Sequence, residues 1–312
     1  MCASDKALFD LGVSLRAVGY HFITVSPETH RRVNARPENS QARSLRDVFG
    51  WSRPFSESLL PPALLGLLDA AGALVKEGEL LRSTVRFSSL GETLYVHSAY
   101  PTKDADAVFF GPDSYRFAAL IERELGENQP AAGSCIADIG CGTGIGGIVI
   151  EKLLRGQQRH LVLADINPHA LRYAQINAAL AGIENAECVL SDILKAVDGP
   201  LDLIVANPPY LVDSGARIYR HGGGQWGHAL SVRIVRESLP RLAPGGRLIL
   251  YTGAAIIEGV DVFKEAIVAE LRAAGVGYVY EEIDPDVFGE ELDNPAYGAV
   301  DRLAAVALII QV

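Results

Sequence analysis

Cysteine is scarce and scattered. Cys2, Cys135, Cys141 and Cys188 are the four in the chain. They form neither a disulfide framework nor a metal-ligand spacing, so the expectations are a reducing, cytoplasmic setting and no bound metal. Hydrophobic residues make up 49% of the sequence, yet no run approaches the roughly 20 apolar residues of a membrane helix. The opening stretch, MCASDKALFD, carries an early acid and no apolar core, so no secretory leader is expected there. Positive charge is also short: 28 Lys and Arg stand against 38 Asp and Glu, a formal charge of −10. Proteins that grip phosphate backbones usually carry a basic excess. A nucleic-acid partner is therefore disfavoured by net charge but left open, since local patches act independently of the total. Internal repeats and low-complexity tracts are absent from the sequence as well.

What is present, from about Ala107 onward, is an alternation of strand-like and helix-like segments. Ser134–Ile139, His160–Asp165, Ala186–Ser191, Leu201–Ala206, Arg247–Thr252, Gly277–Ile283 and Ala304–Gln311 read as strands. Gly146–Leu154, Pro168–Ala181, Leu230–Leu242 and Phe263–Ala274 read as helices between them, with Pro244-Gly245-Gly246 as a stop. Apolar strands separated by helices predict a doubly wound α/β domain over residues 107–312, built on a mostly parallel, seven-stranded, Rossmann-like sheet.

Residues 1–106 read as a smaller, separate domain. Two helical stretches, Ala7–Val18 and Pro61–Gly72, flank an Arg-rich polar span from Arg31 to Arg53. Leu80–Phe87 and Thr93–Ser98 then alternate around Gly91 as a β-hairpin. Helices followed by a hairpin predict a helical, winged-helix-like module. The arginines suit either an RNA patch or a solvated loop.

The strongest local signal is Asp138-Ile-Gly140-Cys-Gly142-Thr-Gly144, where the first strand of the sheet meets its helix. Such a turn favours residues that tolerate positive φ, and bare backbone lets a ligand press against it beside a helix N-terminus. Gly142-Thr-Gly144-Ile-Gly146-Gly147 also satisfies the dinucleotide pattern, and Asp165, at the end of the next strand, suits either kind of ligand. With Ser191-Asp192 and Asn207-Pro208-Pro209-Tyr210 added, the sequence resembles the class I S-adenosylmethionine-dependent methyltransferases over about Val108 to Val312. That resemblance implies S-adenosylmethionine as cofactor and S-adenosylhomocysteine as product. It implies that Asp138 lies near the methionine portion with Gly140, Gly142 and Gly144, that Asp165 holds the ribose, and that Asp192 meets the adenine amino group. Ile166 and Ile193 would touch the adenine faces. Phe110 and Pro112, in the segment where related enzymes place a lid, would roof the methionine end.

Asn207-Pro208-Pro209-Tyr210 follows the fourth strand and so falls at the same sheet edge. An amide or aromatic amine is a poor nucleophile because its lone pair is delocalised. The Asn207 carbonyl and the Pro208 backbone carbonyl supply two acceptors for one NH₂, which orient it and stabilise developing positive charge. Pro208 and Pro209 fix the direction of that acceptor, and Tyr210 offers an aromatic face. These four residues are the candidate catalytic set, with Asn207 also touching the cofactor.

The order of parts looks most like the release-factor glutamine methyltransferases, although the resemblance thins after Tyr210. The leading expectation is N-methylation of a planar nitrogen, first a protein glutamine amide. The alternatives are an RNA or DNA base, a small-molecule substrate (including use of the sulfonium for chemistry other than methyl transfer), and a non-catalytic cofactor-binding partner subunit. His221-Gly-Gly-Gly-Gln-Trp-Gly227 is a candidate substrate-side loop ordered by ligand. Glu281 to Asp293, rich in acids, reads as a solvated turn.

Overall fold

The computed structural model describes residues 1–155, 159–213, 215 and 217–312. Its first helix, α1 (Ala3–Ala17), buries Leu8, Leu11 and Leu15 along one stripe at helical spacing. The Arg-rich span is more ordered than a polar loop: it contains α2 (Pro27–Asn34) and α3 (Leu45–Phe49). Local chemistry starts both. Ser26 Oγ accepts the Thr29 N–H at 3.2 Å, with Pro27 at the first helical position, and Ser44 Oγ accepts the Asp47 N–H at 3.3 Å. Glu28, in the first turn of α2, takes Arg31 at 2.7 Å and Arg32 at 2.6 Å, pairs one turn away on the helix face. Helix α4 (Pro62–Ala70) completes the helical part.

Two hairpins follow where one was expected. β1 (Leu74–Glu77) pairs with β2 (Leu80–Ser83), and β3 (Val85–Leu90) pairs with β4 (Thr93–Ser98). Each turn contains a glycine in the left-handed region, Gly78 at φ +64° and Gly91 at φ +55°. The run Leu80–Phe87 breaks at Thr84 because two partners compete for it. Leu81 exchanges both backbone hydrogen bonds with Phe55 at 2.8 Å, while the Thr84 N–H turns to the Ala73 carbonyl at 2.9 Å. The hairpin expected around Gly91 is β3–β4, and β1–β2, entered from α4, is additional to the winged-helix expectation.

The remaining elements are α5 (Pro112–Glu127), β5 (Cys135–Ile139), α6 (Ile145–Leu153), β6 (His160–Asp165), α7 (Pro168–Leu180), β7 (Ala186–Leu190), β8 (Leu201–Ala206), α8 (Ala229–Ser238), β9 (Leu242–Ile257), β10 (Val260–Asp261), α9 (Val262–Ala274), β11 (Gly277–Asp284) and β12 (Arg302–Gln311). Spatially the strands run β11-β12-β9-β8-β5-β6-β7, with the two-residue β10 attached to β9. β12 is antiparallel to both neighbours, and the strands from β9 to β7 are parallel. The mostly parallel sheet is as expected. Two boundaries move. Helix α8 stops at Ser238 rather than Leu242, because Pro240 has no N–H to continue the ladder. Pro244–Gly246 joins β9 rather than forming a free turn, since Gly245 N–H reaches the Val312 carbonyl at 2.8 Å and Val312 N–H returns to Gly246 at 3.1 Å.

Apolar clusters cover both faces of the sheet, one under α5 and α6 and one under α8 and α9. A third fills the N-terminal part, where Leu8, Leu11, Phe49, Leu68 and Phe87 meet Ala170, Tyr173, Ile176 and Leu180 from α7. Helix α7 therefore serves two cores. Its Asn177 is fully buried: Oδ1 accepts the Val96 N–H at 2.7 Å, and Nδ2 donates to the carbonyls of Val96 at 3.1 Å and Thr143 at 3.0 Å. One amide thus extends the β4 ladder and holds the glycine loop after β5. Asn177→Ala leaves these groups dry and unpaired, and is expected to lower stability by about 1–3 kcal/mol, read as a lower urea midpoint at unchanged slope. A loss below about 0.5 kcal/mol, the range of ordinary surface substitutions, would contradict that assignment.

Candidate active site

Strand order reverses between β5 and β8, the place where an open α/β sheet leaves a crevice beyond its strand ends. A cavity of about 600 Å³ opens there. Its walls come from the loops after β5, β6, β7 and β8, from the start of α5, and from Pro27 and Tyr100–Lys103 of the N-terminal part.

The glycine loop is folded by carboxylates. Asp138 Oδ2 accepts the Gly147 N–H at 2.9 Å. Asp165 accepts the N–H groups of Gly142 at 2.9 Å and Asn167 at 2.8 Å. Burial pushes the Asp138 carboxyl up to about 8, against the Gly147 N–H and with help from the neighbouring Asp165 charge. Burial also raises Asp165. Gly140 and Gly142 take φ of +62° and +54°, and a Cβ at either would stand in open space, so the backbone is bare where the two residues line the cavity. Acids at strand ends beside bare glycine backbone suit a ligand with ribose hydroxyls and a positive charge. Gly144 lies off the wall, where it caps α6 at φ +77°. Gly146 is the companion constraint, since a Cβ there would lie 2.8 Å from the Asp138 carboxylate.

Ile166 is 58% exposed at the end of β6 and gives the cavity an apolar wall. Ile193 faces it with φ of +54°, a backbone state that costs a β-branched residue about 1–3 kcal/mol and clusters at binding sites. Asp192 lines the same region but is already engaged. Arg233 of α8 grips it through two hydrogen bonds at 2.7 and 2.8 Å, and Lys195 binds at 2.6 Å. Arg233 and Lys195 hold its carboxyl down at about 2. An adenine amino group would therefore share this carboxylate with two cations.

Asn207, Pro208, Pro209 and Tyr210 all line the cavity. Among the described residues neither the Asn207 side chain nor the Pro208 carbonyl has a hydrogen-bond partner, so both acceptors are free. Tyr210 differs from the expectation of an open aromatic face. It is 6% exposed, its hydroxyl donates to Asp113, and its ring lies against Gly253, where a Cβ would approach to 2.1 Å.

Phe110 and Pro112 stand behind the wall rather than on it. Phe110 is fully buried, stacked on His97 at 5.3 Å, and Pro112 opens α5. The wall instead takes Phe109, one residue earlier, and Asp113, Ser114 and Phe117 along the helix. Phe109 lies parallel to Tyr219 at 5.7 Å and 14°. Tyr219 Oη reaches the Thr102 carbonyl at 2.9 Å, and the Ile218 N–H reaches the Ala105 carbonyl at 3.1 Å. The segment 102–105 and the loop after Tyr210 thus meet across one side of the mouth. Within that loop the backbone is close-packed at two glycines: a Cβ at Gly222 would meet the Gly227 carbonyl at 1.8 Å, and one at Gly227 the Tyr210 carbonyl at 2.1 Å. His221 lines the cavity and its Nδ1 accepts the Asp213 N–H at 3.3 Å. Asp113 and Tyr219 escaped the sequence reading. A Gly-Pro-Asp helix start was the available signal for the first, and none marks the second.

No group of side chains among the described residues is arranged to hold a metal, and no helix there is long and apolar enough to cross a membrane. Residues 118–256 match the family described as methyltransferase small domain. The release factor glutamine methyltransferase of Deinococcus radiodurans is 30% identical over 200 residues, covering 61% of this chain and 66% of that one. Its counterpart in Cereibacter sphaeroides is 33% identical over 184 residues, covering 55% and 61%. The ribosomal RNA small subunit methyltransferase C of Serratia proteamaculans is 30% identical over 119 residues, covering 38% and 30%. This chain thus spans less than two thirds of each of these relatives. Among solved structures, Trm5b from Pyrococcus abyssi is similar at a TM-score of 0.49 and 17% identity, covering 81% of this chain and 71% of that one. Residues 118–256 thus resemble the methyltransferase small domain family, and the relatives matched here are themselves named as methyltransferases.

Proposed function

We propose that the chain is an S-adenosylmethionine-dependent N-methyltransferase acting on a planar nitrogen, first of all the side-chain amide of a protein glutamine. The observation that carries the reading is the pair of free acceptors, Asn207 and the Pro208 carbonyl, on the wall of a cavity shared with Gly140, Gly142, Asp165 and Ile166. The last four, with Asp138, would hold the cofactor. Bound there, S-adenosylmethionine supplies an electrophilic methyl group on a sulfonium that departs as a neutral thioether. The chain's own part is position and charge. Asn207 Oδ1 accepts one N–H of the acceptor group, the Pro208 carbonyl accepts the other, and together they stabilise the positive charge that builds on nitrogen until one N–H proton leaves to solvent. Residues 1–106 would wall the substrate side through Pro27 and Tyr100–Lys103.

Methylation of an RNA base is the second reading. The parallel Phe109–Tyr219 pair on the cavity wall favours it, as an aromatic surface suited to a base. Against it, part of the Arg-rich span is engaged internally: Arg31 and Arg32 share Glu28, and Arg53 is buried against Asp47, while Arg36, Arg43 and Arg46 are exposed. Relatives named for release-factor glutamine and for ribosomal RNA support the two readings respectively.

The test is transfer of labelled methyl from S-adenosylmethionine to a purified peptide-chain release factor in one arm and to deproteinised ribosomal RNA in the other. Label on glutamine supports the first reading and label on a base the second. Methylthioadenosine without S-adenosylhomocysteine would sink both. Asn207→Ala removes one of the two acceptors and is expected to lower kcat about 10²- to 10³-fold, with cofactor affinity kept within a few fold. Unchanged turnover would remove Asn207 from the mechanism.

Asp138 also makes cofactor binding pH-dependent. A cation bound beside it favours the ionised carboxylate, so below a pH of about 8 binding must release its proton. Affinity measured by titration calorimetry is expected to rise as pH climbs toward about 8 and then level off. Asp138→Asn should flatten the part of the profile that belongs to this group. Identical profiles for the two proteins would assign the proton elsewhere.

A further inference from the structure

Asp113 lies outside the glycine motif and outside the tetrapeptide, yet it touches the machinery from behind. It stands in the first turn of α5, is 7% exposed, and lines the cavity. Its Oδ1 accepts the hydroxyl of Tyr251 at 2.8 Å, and its Oδ2 accepts the hydroxyl of Tyr210. Tyr251 belongs to β9, and Tyr210 closes the tetrapeptide after β8. Arg116, one turn along α5, approaches Asp113 at 3.3 Å and reaches Asp284 of β11 at 2.8 Å. One carboxylate therefore joins α5, the tetrapeptide and β9, and through Arg116 reaches β11.

The tetrapeptide needs such an anchor. Pro208 and Pro209 have no N–H, so this stretch cannot be held by a backbone ladder. The hydroxyl of Tyr210 is its polar side-chain attachment, and the ring has space only because residue 253 is glycine. Moving the ring shifts the carbonyl of Pro208 two residues earlier. Displacement of a reacting group by about 1 Å can cost about 10² in rate.

We propose that Asp113 is a positioning residue for the transfer step: by fixing Tyr210 and Tyr251 it sets where Asn207 and the Pro208 carbonyl stand relative to the bound cofactor. This deepens the methyltransferase reading and rests on it. Asp113 itself need touch neither the methyl group nor the acceptor nitrogen. Its effect should fall on the rate of transfer and on the order of the loop after Tyr210, leaving the cofactor's hold to the glycine loop and Asp165.

Asp113→Asn separates these effects, and Tyr210→Phe removes the same hydrogen bond from the other side. Three quantities are measured in each: steady-state kinetics with the release factor or ribosomal RNA, cofactor Kd by calorimetry, and backbone hydrogen exchange. Exchange is read in peptides containing Leu211 and Gly222, whose N–H groups bond Arg220 and Leu211 at 3.1 and 2.9 Å. The expected result is a kcat about 10- to 100-fold lower, cofactor Kd within about twofold of wild type, and faster exchange at Leu211 and Gly222 but not in β5. The double variant should be no worse than the more impaired single one, because Asp113→Asn already disturbs the link that Tyr210→Phe cuts. Wild-type kcat and exchange in both variants would overturn the proposal. So would exchange accelerated equally across the whole sheet, which marks a merely structural role. If Asp113→Asn does not fold, Tyr210→Phe carries the same three readouts. If the wild-type chain methylates neither substrate, the glutamine and RNA readings fail, and the exchange and Kd measurements still decide whether Asp113 orders this loop.

Discussion

Two carboxylates at neighbouring strand ends hold the loop between them by its amides, and the arrangement of the site follows from that grip. Asp138 closes β5 and takes the Gly147 N–H; Asp165 closes β6 and takes the N–H groups of Gly142 and Asn167. The intervening chain must turn through three positive-φ glycines, which leaves bare backbone beside a helix N-terminus. Both acids are buried, and burial raises both. The fold tolerates this because backbone amides repay part of the desolvation. A ligand that brings positive charge and hydroxyls would complete the compensation. The loop is thus held in shape at an electrostatic cost.

The N-terminal part is joined to this arrangement by more than a linker. Asn177 ties the edge of β4 to the carbonyl of Thr143, inside the glycine loop. Thr102 and Ala105 meet Tyr219 and Ile218 across the cavity. Pro27 and Tyr100 stand on the wall. The cavity is consequently a property of the whole chain rather than of the sheet alone, and whatever binds at the N-terminal wall also bears on the loop that follows Tyr210.

Much of the sheet was legible because apolar strands between amphipathic helices admit few arrangements. That the glycine motif, Asp165 and the tetrapeptide meet at one cavity was legible because each follows a strand of the same parallel sheet. What escaped is equally physical. α2 and α3 are short and their arginines look like loop residues until Glu28 and the Ser26 and Ser44 caps are weighed. Phe109 and Phe110 differ by one position, and which ring faces the cavity depends on His97 and Tyr95 behind it, far away in sequence. Tyr210 read as an open face because its partner, Asp113, lies 97 residues earlier. The pairing of Asp192 with Arg233 went unseen because Arg233 lies 41 residues later. Pairings of that range are set by packing, and a single sequence does not display them.

The double service of α7 has a consequence for how the chain is made. The N-terminal helices and hairpins leave the ribosome first, but their apolar core is completed by Ala170, Tyr173, Ile176 and Leu180. From the synthesis of Ser98 to that of Leu180 this core has an open side, and at roughly 5–20 residues per second that interval lasts several seconds. The N-terminal core therefore lacks part of its packing until α7 has been made. Vectorial synthesis and tertiary closure run out of step here, and the exposed faces of Leu8, Leu11, Phe49 and Phe87 are what a ribosome-bound chaperone would meet in the meantime.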